Sequence, residues 1–346
     1  MTRQDIPPDN PDPARKPVTI YDIARIAGAS ASSVSAVLNG TWKKRRIGAQ
    51  LAGRISAIAE ELGYSVNLQA SLLRRDRSRV IGMIIPKYDN RYFGAIAERF
   101  EGMARARGLF PVITCTQREP ELEIEAAREM LAWRAECLIV TGATDPGRVG
   151  RLCAAGGVRA INLDLPGAGA PSVVSDNFAG ARDLTQLILL RMQQDFGVRV
   201  ALHFIGGRAH DHNTRERLRG FRAAHEEAGL AVPEAHVIMH GYAAEKTEAA
   251  MSGLRLPDCA GLFVNSTIAL EGLVRWLRGH RPPPQFRLGC FDWDPFGAFL
   301  PQNVGMVRQD VDAMLARVFD FVEAPPEGIP LVQVPCVLEP FPTAPG

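Results

Sequence analysis

Thr19-Ile20-Tyr21-Asp22-Ile23-Ala24-Arg25-Ile26-Ala27-Gly28-Ala29-Ser30-Ala31-Ser32-Ser33-Val34-Ser35-Ala36-Val37-Leu38-Asn39-Gly40 is the stretch around which the chain is organised. Ile20, Ile23, Ala24 and Ala27 fall at helical spacing and form one apolar stripe. Gly28 offers the left-handed backbone that a helix stop uses. Ser30 is placed to cap a second helix, because its hydroxyl can take a free amide of the first turn. Val34, Val37 and Leu38 face back onto the first helix, and Asn39-Gly40 ends the unit with turn chemistry. The spacing predicts a helix-turn-helix whose second helix has the size and polarity to enter a major groove.

Thr19 to Ala24 and Val34 to Gly40 resemble the start of lactose-repressor (LacI/GalR) family regulators. The resemblance runs from about residue 18 to 340. It implies an α/β protein with an N-terminal three-helix head and a two-lobed, periplasmic-binding-protein-like core of doubly wound parallel sheets, the lobes joined by three crossovers. On matching positions it implies phosphate contacts at Thr19 and Tyr21, sequence reading by Ala31, Ser32 and Ser35, and a helix-end contact at Asn39. Ala36 departs from the pattern, which usually carries there an Arg that reads a guanine. Such a contact is worth about 1–3 kcal/mol of discrimination, so the operator should differ from the usual half-site.

The loop Thr41-Trp42-Lys43-Lys44-Arg45-Arg46 is longer than the family pattern and largely basic. Lys43, Lys44, Arg45 and Arg46 suit phosphate clamping, which gives affinity without sequence choice. Trp42 suits either packing against the helices or lying along a sugar-phosphate edge. Gly48 to Leu62 reads as a third helix. Ser65 to Leu73 resembles the family's hinge, which is marginal alone. In the family it folds when two copies meet in the minor groove, and Leu73 stands at the position of the wedge that opens a central base step.

The 346 residues suit two or three domains. Hydrophobic residues make up 46% of the chain, enough for substantial cores, but no run is long enough to span a membrane. The chain reads as a leader over 1–16, which lacks the apolar region of a secretory signal, a helix-turn-helix domain over 17–63, a hinge over 64–79 and a core over 80–346. The net charge is only +2, yet residues 17–79 hold ten Lys/Arg against four Asp/Glu. A basic head on a mildly acidic body suits a polyanion-binding module on a sensing core. The six Cys are scattered without CxxC spacing, as expected of reduced cytoplasmic residues.

Val80 to Pro86 is a continuous apolar run, as in a strand buried on both faces. Strand patterns follow near 111–115, 136–140, 159–163, 198–205, 260–264, 287–291, 304–307 and 331–338. Helical patterns alternate with them near 93–107, 119–133, 177–192, 213–228, 242–253, 267–279 and 310–322. This alternation predicts doubly wound sheets.

Open α/β sheets bind ligands at the carboxyl ends of their strands. Polar residues there are Asp89 and Asn90, Asp164, Asn213 and Arg217, Asn265, and Asp292. Carboxylates, amides and a guanidinium match a ligand whose hydroxyls both donate and accept, and Phe93 and Trp293 can cover the apolar face of a sugar ring. Arg217, Asn265, Asp292 and Asp164 also match pocket positions of the family. Asp176 is expected to cap a helix instead.

No nucleophile and base assemble as for an enzyme, and His210 and His212 lack a third ligand for a metal. The expected function is a DNA-binding repressor without a cofactor. It would act as a homodimer on a palindromic operator of double-stranded DNA and be controlled by a small effector, chiefly a neutral monosaccharide. No heptad segment follows strand 331–338, so a tetramerising tail is not expected. Rival readings are a sugar phosphate, nucleobase or partner protein as effector, a sugar-binding protein without a DNA role, and a sugar-modifying enzyme.

Overall fold

The computed structural model describes residues 18–64 and 78–342. The leader expected over 1–16 and most of the expected hinge, Leu73 included, lie outside the described residues. The chain divides into two compact units, Met1–Arg77 and Ser78–Gly346.

The first unit holds α1 (Ile20–Ala27), α2 (Ala31–Leu38) and α3 (Ala49–Glu61). Thr19 and Asp22 form a reciprocal capping box at the start of α1. Gly28 ends α1 at φ 61°, a backbone that other residues adopt only at a cost. Ser30 caps α2, its hydroxyl accepting from the Ser33 amide at 3.1 Å. Ile23, Val34 and Ile55, one from each helix, are fully buried against one another, ringed by Ala24, Ala27, Ala52 and Ala59.

The second unit opens with β1 (Val80–Ile85), α4 (Arg91–Ala106), β2 (Phe110–Cys115), α5 (Pro120–Ala132), β3 (Cys137–Thr141), α6 (Pro146–Ala155), β4 (Arg159–Leu163) and β5 (Ser172–Ser175). It continues with α7 (Asn177–Phe196), β6 (His203–Ile205), α8 (His212–Glu227), β7 (Val237–Ile238), α9 (Ala244–Gly253), β8 (Cys259–Val264), α10 (Thr267–Gly279), β9 (Gln285–Phe291), β10 (Asn303–Arg308), α11 (Val311–Glu323), β11 (Leu331–Val334) and β12 (Val337–Pro340). Two six-stranded sheets result. Lobe 1 has the order β11-β5-β4-β3-β1-β2, all parallel, and lobe 2 has β12-β10-β9-β8-β6-β7 with only β12 antiparallel. Every residue of β1 is buried, as its unbroken apolar run predicts.

The chain passes between lobes after β5, after β10 and between β11 and β12. These three crossings are stitched side by side. The Ser175 hydroxyl donates to Gln309 Oε1 at 2.5 Å, and the Asp176 amide donates to the Val334 carbonyl at 2.7 Å. Asp176 also caps α7 by accepting from the Ala179 amide at 2.9 Å, as expected.

Five elements differ from the sequence reading. The strand expected over 331–338 is two strands in different lobes, because Pro335 interrupts it. The strand expected over 198–205 begins at His203, because histidines take both backbone groups of Leu202. Its amide donates to His225 Nε2 at 3.0 Å, and its carbonyl lies 3.2 Å from His236 Nδ1. The short β5 and β7 were not expected. Nor was α6, whose Gly147 and Gly150 weaken the helical pattern; Asp145 nonetheless caps it through the Arg148 amide at 2.9 Å.

Gly220 of α8 allows close approach to α7, for a Cβ there would stand 2.2 Å from the Phe178 carbonyl oxygen. Gly220→Ala should lower stability by about 1–3 kcal/mol, as overpacking does, seen as a lower urea midpoint. Gly102→Ala in α4, where no atom lies within 4 Å of the added carbon, should leave the midpoint unchanged or raise it; equal losses in both variants would contradict this packing account.

Candidate functional site

On the head, Tyr21 is 71% exposed and Ser32 is exposed, whereas Ala31 and Ser35 are half-buried. Thr19 is engaged in its own cap, its hydroxyl donating to Asp22 Oδ2 at 2.7 Å. Asn39 Nδ2 donates to the Ser35 carbonyl at 2.7 Å, tying down the end of α2.

The loop after α2 is a compact turn. The Arg45 amide donates to the Thr41 carbonyl, the Ile47 amide to the Trp42 carbonyl, and Arg46 adopts φ 55°. Trp42 and Ile47 pack onto the helical core, so the indole is a packing group, and Lys43, Lys44, Arg45 and Arg46 are left exposed. The amide and hydroxyl of Thr41 both donate to the Ala36 carbonyl, and Ala36 is buried. The position that departs from the family pattern is therefore a packing position here.

In the second unit, the cleft between the lobes narrows to an inner cavity of about 30 Å³, room for no more than a few water molecules. A groove of about 730 Å³ adjoins it and shares Asn90, Tyr242 and Ile268. A monosaccharide can enter the inner cavity only if the lobes part or side chains swing.

Two aspartates face one arginine there. Asp164 follows β4 and Asp292 follows β9, and both are buried with left-handed backbones at φ 73° and 71°. Such backbone is strained for a non-glycine residue and clusters at functional sites. Asp164 Oδ1 accepts from the Tyr92 hydroxyl at 3.1 Å and from Asn213 Nδ2 at 3.0 Å. Asp292 Oδ1 accepts from Gln309 Nε2 at 2.5 Å and stands 3.8 Å from the Arg217 guanidinium. Arg217 donates from Nε to Asn177 Oδ1 at 2.7 Å and from Nη1 to the Asn265 carbonyl at 2.6 Å, with its guanidinium 3.7 Å above the Phe291 ring.

Burial pushes the Asp164 carboxyl up to about 6, although Arg217 pulls the other way. Burial likewise raises Asp292 against the pull of Arg217. For Arg217, burial opposes the charge but the surrounding carboxylates outweigh it, so its pKa rises. Burial raises the phenol of Tyr242 to about 12, so at neutral pH it remains a hydrogen-bond donor.

Of the residues expected in the pocket, Asn90, Phe93, Asp164, Asn213, Arg217 and Asp292 line the inner cavity. Asn90 spends its carbonyl on capping α4 through the Tyr92 and Phe93 amides. Asp89 lines the adjoining groove instead. Asn265 is fully buried outside the lining, presenting its backbone carbonyl to Arg217. Trp293 lines neither space and is 38% exposed, because the turn at Asp292 carries it outward while Asp294 pairs with Arg91 at 2.7 Å.

Sequence reading missed Arg118, Tyr242 and Gln309 in the lining. Gln309 follows β10 and was reachable by the same carboxyl-end rule. Tyr242 follows β7, which the pattern did not reveal. His203, upstream of the His210–His212 pair, stacks on His236 with ring centres 3.8 Å apart.

The folded carboxyl of Asp164, at about 6, stands above the roughly 3.9 of an unfolded chain. The native state therefore binds the proton more tightly, and this group's contribution to stability falls as pH rises from about 4 to 6, then stays level. A rise of that size costs on the order of 3 kcal/mol when the group is ionised. Asp164→Asn, which keeps one carbonyl acceptor, should be more stable than the parent at pH 7, with the gap closing toward pH 4. Urea midpoints across that range check this; a gap independent of pH would refute it.

Residues 78–269 match the family described as periplasmic binding proteins and sugar binding domain of LacI family, and residues 19–67 match bacterial regulatory proteins, lacI family. The chain is 60% identical over 193 residues to the ribitol operon repressor of Klebsiella aerogenes, covering 56% of this chain and 72% of that protein. It is 28% identical over 313 residues to the sucrose operon repressor of Klebsiella pneumoniae, covering 89% and 92% respectively. Its fold is similar to that of the lac repressor dimer bound to operator and the anti-inducer ONPF, with TM-score 0.74 at 20% identity, over 94% of this chain and 98% of the other.

Proposed function

The chain belongs to the LacI family as a transcriptional repressor with a sugar-binding domain, and we propose that a neutral, polyhydroxylated five-carbon compound bound in the inner cavity controls its hold on DNA. The observation that carries this reading is the convergence of Asp164, Asp292 and Arg217 at the carboxyl ends of strands in an interlobe cleft. Asp164, Asp211 and Asp292 outnumber Arg118 and Arg217 around the cavity, which disfavours an anionic effector. The 60% identity to a ribitol operon repressor supports an alditol or pentose as the ligand.

On the DNA side, the protein acts as a homodimer on a palindromic operator. Exposed Ser32, with half-buried Ala31 and Ser35, forms the reading face, and exposed Tyr21 with Lys43, Lys44, Arg45 and Arg46 grips phosphates. With Ala36 buried, the basic loop supplies a larger share of the affinity. Effector binding moves the lobes, and the change passes through residues 64–79 to the head. Arg217, Asp292 and Gln309 draw together α8, β9 and the second crossing, so a ligand engaging them acts on both lobes.

A thermal-shift scan with ribitol, neutral pentoses and their phosphates tests the effector. Ligand at 100 times its dissociation constant adds about 2.7 kcal/mol. The expected result is a shift with a neutral compound that is lost in Asp292→Ala; a shift with phosphates only would overturn the neutral reading. For the head, replacing Lys43, Lys44, Arg45 and Arg46 together by Ala should weaken DNA binding and flatten its salt dependence by about 0.9 per lost phosphate contact. An unchanged slope would remove the loop from the interface.

A further inference from the structure

Three histidines meet around Leu202, just before β6, at the end of the lobe 2 sheet opposite the cavity. His225 of α8 is fully buried, and its hydrogen bonds leave it one protonation state. Nδ1 lies 2.8 Å from the Phe221 carbonyl, which only accepts, while Nε2 accepts from the Leu202 amide at 3.0 Å. The ring is therefore neutral, with its proton on Nδ1. His236 donates from Nδ1 to the Leu202 carbonyl at 3.2 Å and stacks on His203, the first residue of β6. His203 is buried, and its Nδ1 has no hydrogen-bond partner.

A further proton finds no acceptor in this cluster. On His225 it would turn Nε2 into a donor facing the Leu202 amide. On His203 it would place a desolvated charge against the His236 ring. Burial pushes His203 down to about 4, with His236 adding to this and a backbone bond to Gly261 opposing it. Burial also lowers His225, against the pull of the Phe221 carbonyl and with help from His236. The charged groups on the flanking elements are engaged elsewhere or exposed. Arg222 of α8 pairs with Glu234, Asp195 of α7 with Arg287 of β9, and Arg199 donates to the Ala228 carbonyl, each at 2.6 Å. Glu226 and Glu227 are exposed, and burial raises the Cys259 thiol of β8.

The cluster is joined to the cavity through α8. Arg217, Phe221 and His225 follow one another at four-residue spacing on the buried face of this helix. Phe221 packs edge-on against Phe204 of β6 and Phe263 of β8. We propose that His203, His225 and His236 form a proton-responsive catch, which holds Leu202 and α8 together while the rings are neutral and on protonation releases both, loosening Arg217 and weakening effector binding. The last step rests on the reading of the cleft given above. The open state binds protons more tightly than the closed one, so the catch is intact above about pH 6.5, the value of a free ring, and is lost as pH falls below it.

Hydrogen–deuterium exchange of the full chain at pH 7.5 and pH 5, corrected for the intrinsic rate, tests the catch without a ligand. A ring held at about 4 when closed and at about 6.5 when released raises the opening constant by about 30-fold over this interval. Protection of residues 198–205 should fall by that order while that of β1 holds. His203→Phe with His225→Gln, which leaves neither ring to titrate, should remove the difference. Equal loss in β1 and 198–205 of the parent, or the same loss in the double variant, would overturn the catch. Isothermal titration with ribitol at both pH values tests the link to the cavity, on an Asp164→Asn background because Asp164 titrates in the same interval. Binding should weaken several-fold more with the histidines present than in the double variant. The same pH dependence in both would overturn the link while leaving the cleft reading intact. No ribitol binding at either pH in the parent would overturn the cleft reading and the link together, and the exchange result would still decide the catch.

Discussion

The guanidinium of Arg217 joins parts of the second unit that are far apart in sequence. From α8 it reaches Asn177 just past the first crossing, the Asn265 carbonyl at the end of β8 and Asp292 at the end of β9, while lying flat on Phe291. A planar five-donor group can satisfy several acceptors in fixed directions, which an ammonium cannot. Removing one member of such a buried set strands the others, at a cost of roughly 3–5 kcal/mol. Asp292 therefore depends on this side chain for its ion pair, and the same cation lowers the cost of charge on Asp164.

Around that anchor the structure concentrates features that stability alone would not favour. Asp164 and Asp292 are both desolvated, and the charge of Asp292 adds to the cost of ionising Asp164. Both sit on left-handed backbone. Gln309 belongs to a crossing between lobes and bonds Asp292 on one side and Ser175 on the other. The polar network thus reaches both lobes and two of the three connections between them. A ligand that replaces any of these hydrogen bonds with its own hydroxyls changes the balance between lobe arrangements, which is the physical content of coupling to a distant site.

Much of this was legible in the chain. The capping residues Thr19 and Ser30, the stop at Gly28 and the apolar run of β1 are local signals, and each produced the element it predicted. Strand ends located Asp164, Asn213, Arg217 and Asp292, because carboxyl-edge placement follows from topology. Elements set by tertiary contacts were not legible. Leu202 leaves its ladder because two histidines, 23 and 34 residues away, take its backbone groups. Residues 331–338 divide between sheets that only the folded lobes define. Trp293 looked like a ring cover from its neighbours, but the backbone of Asp292 turns it outward. Burial of Ala36 under Thr41 likewise depends on how a longer loop folds back.

The central claim is that occupancy of the inner cavity changes the protein's hold on its operator. The most direct measurement is fluorescence anisotropy of an operator recovered by selection from random duplexes, titrated at fixed salt with and without saturating ribitol or a pentose shown to bind. The account predicts a change in operator affinity of roughly 5–150-fold, absent in Asp292→Ala. An operator affinity that stays constant while the ligand demonstrably occupies the protein would contradict it.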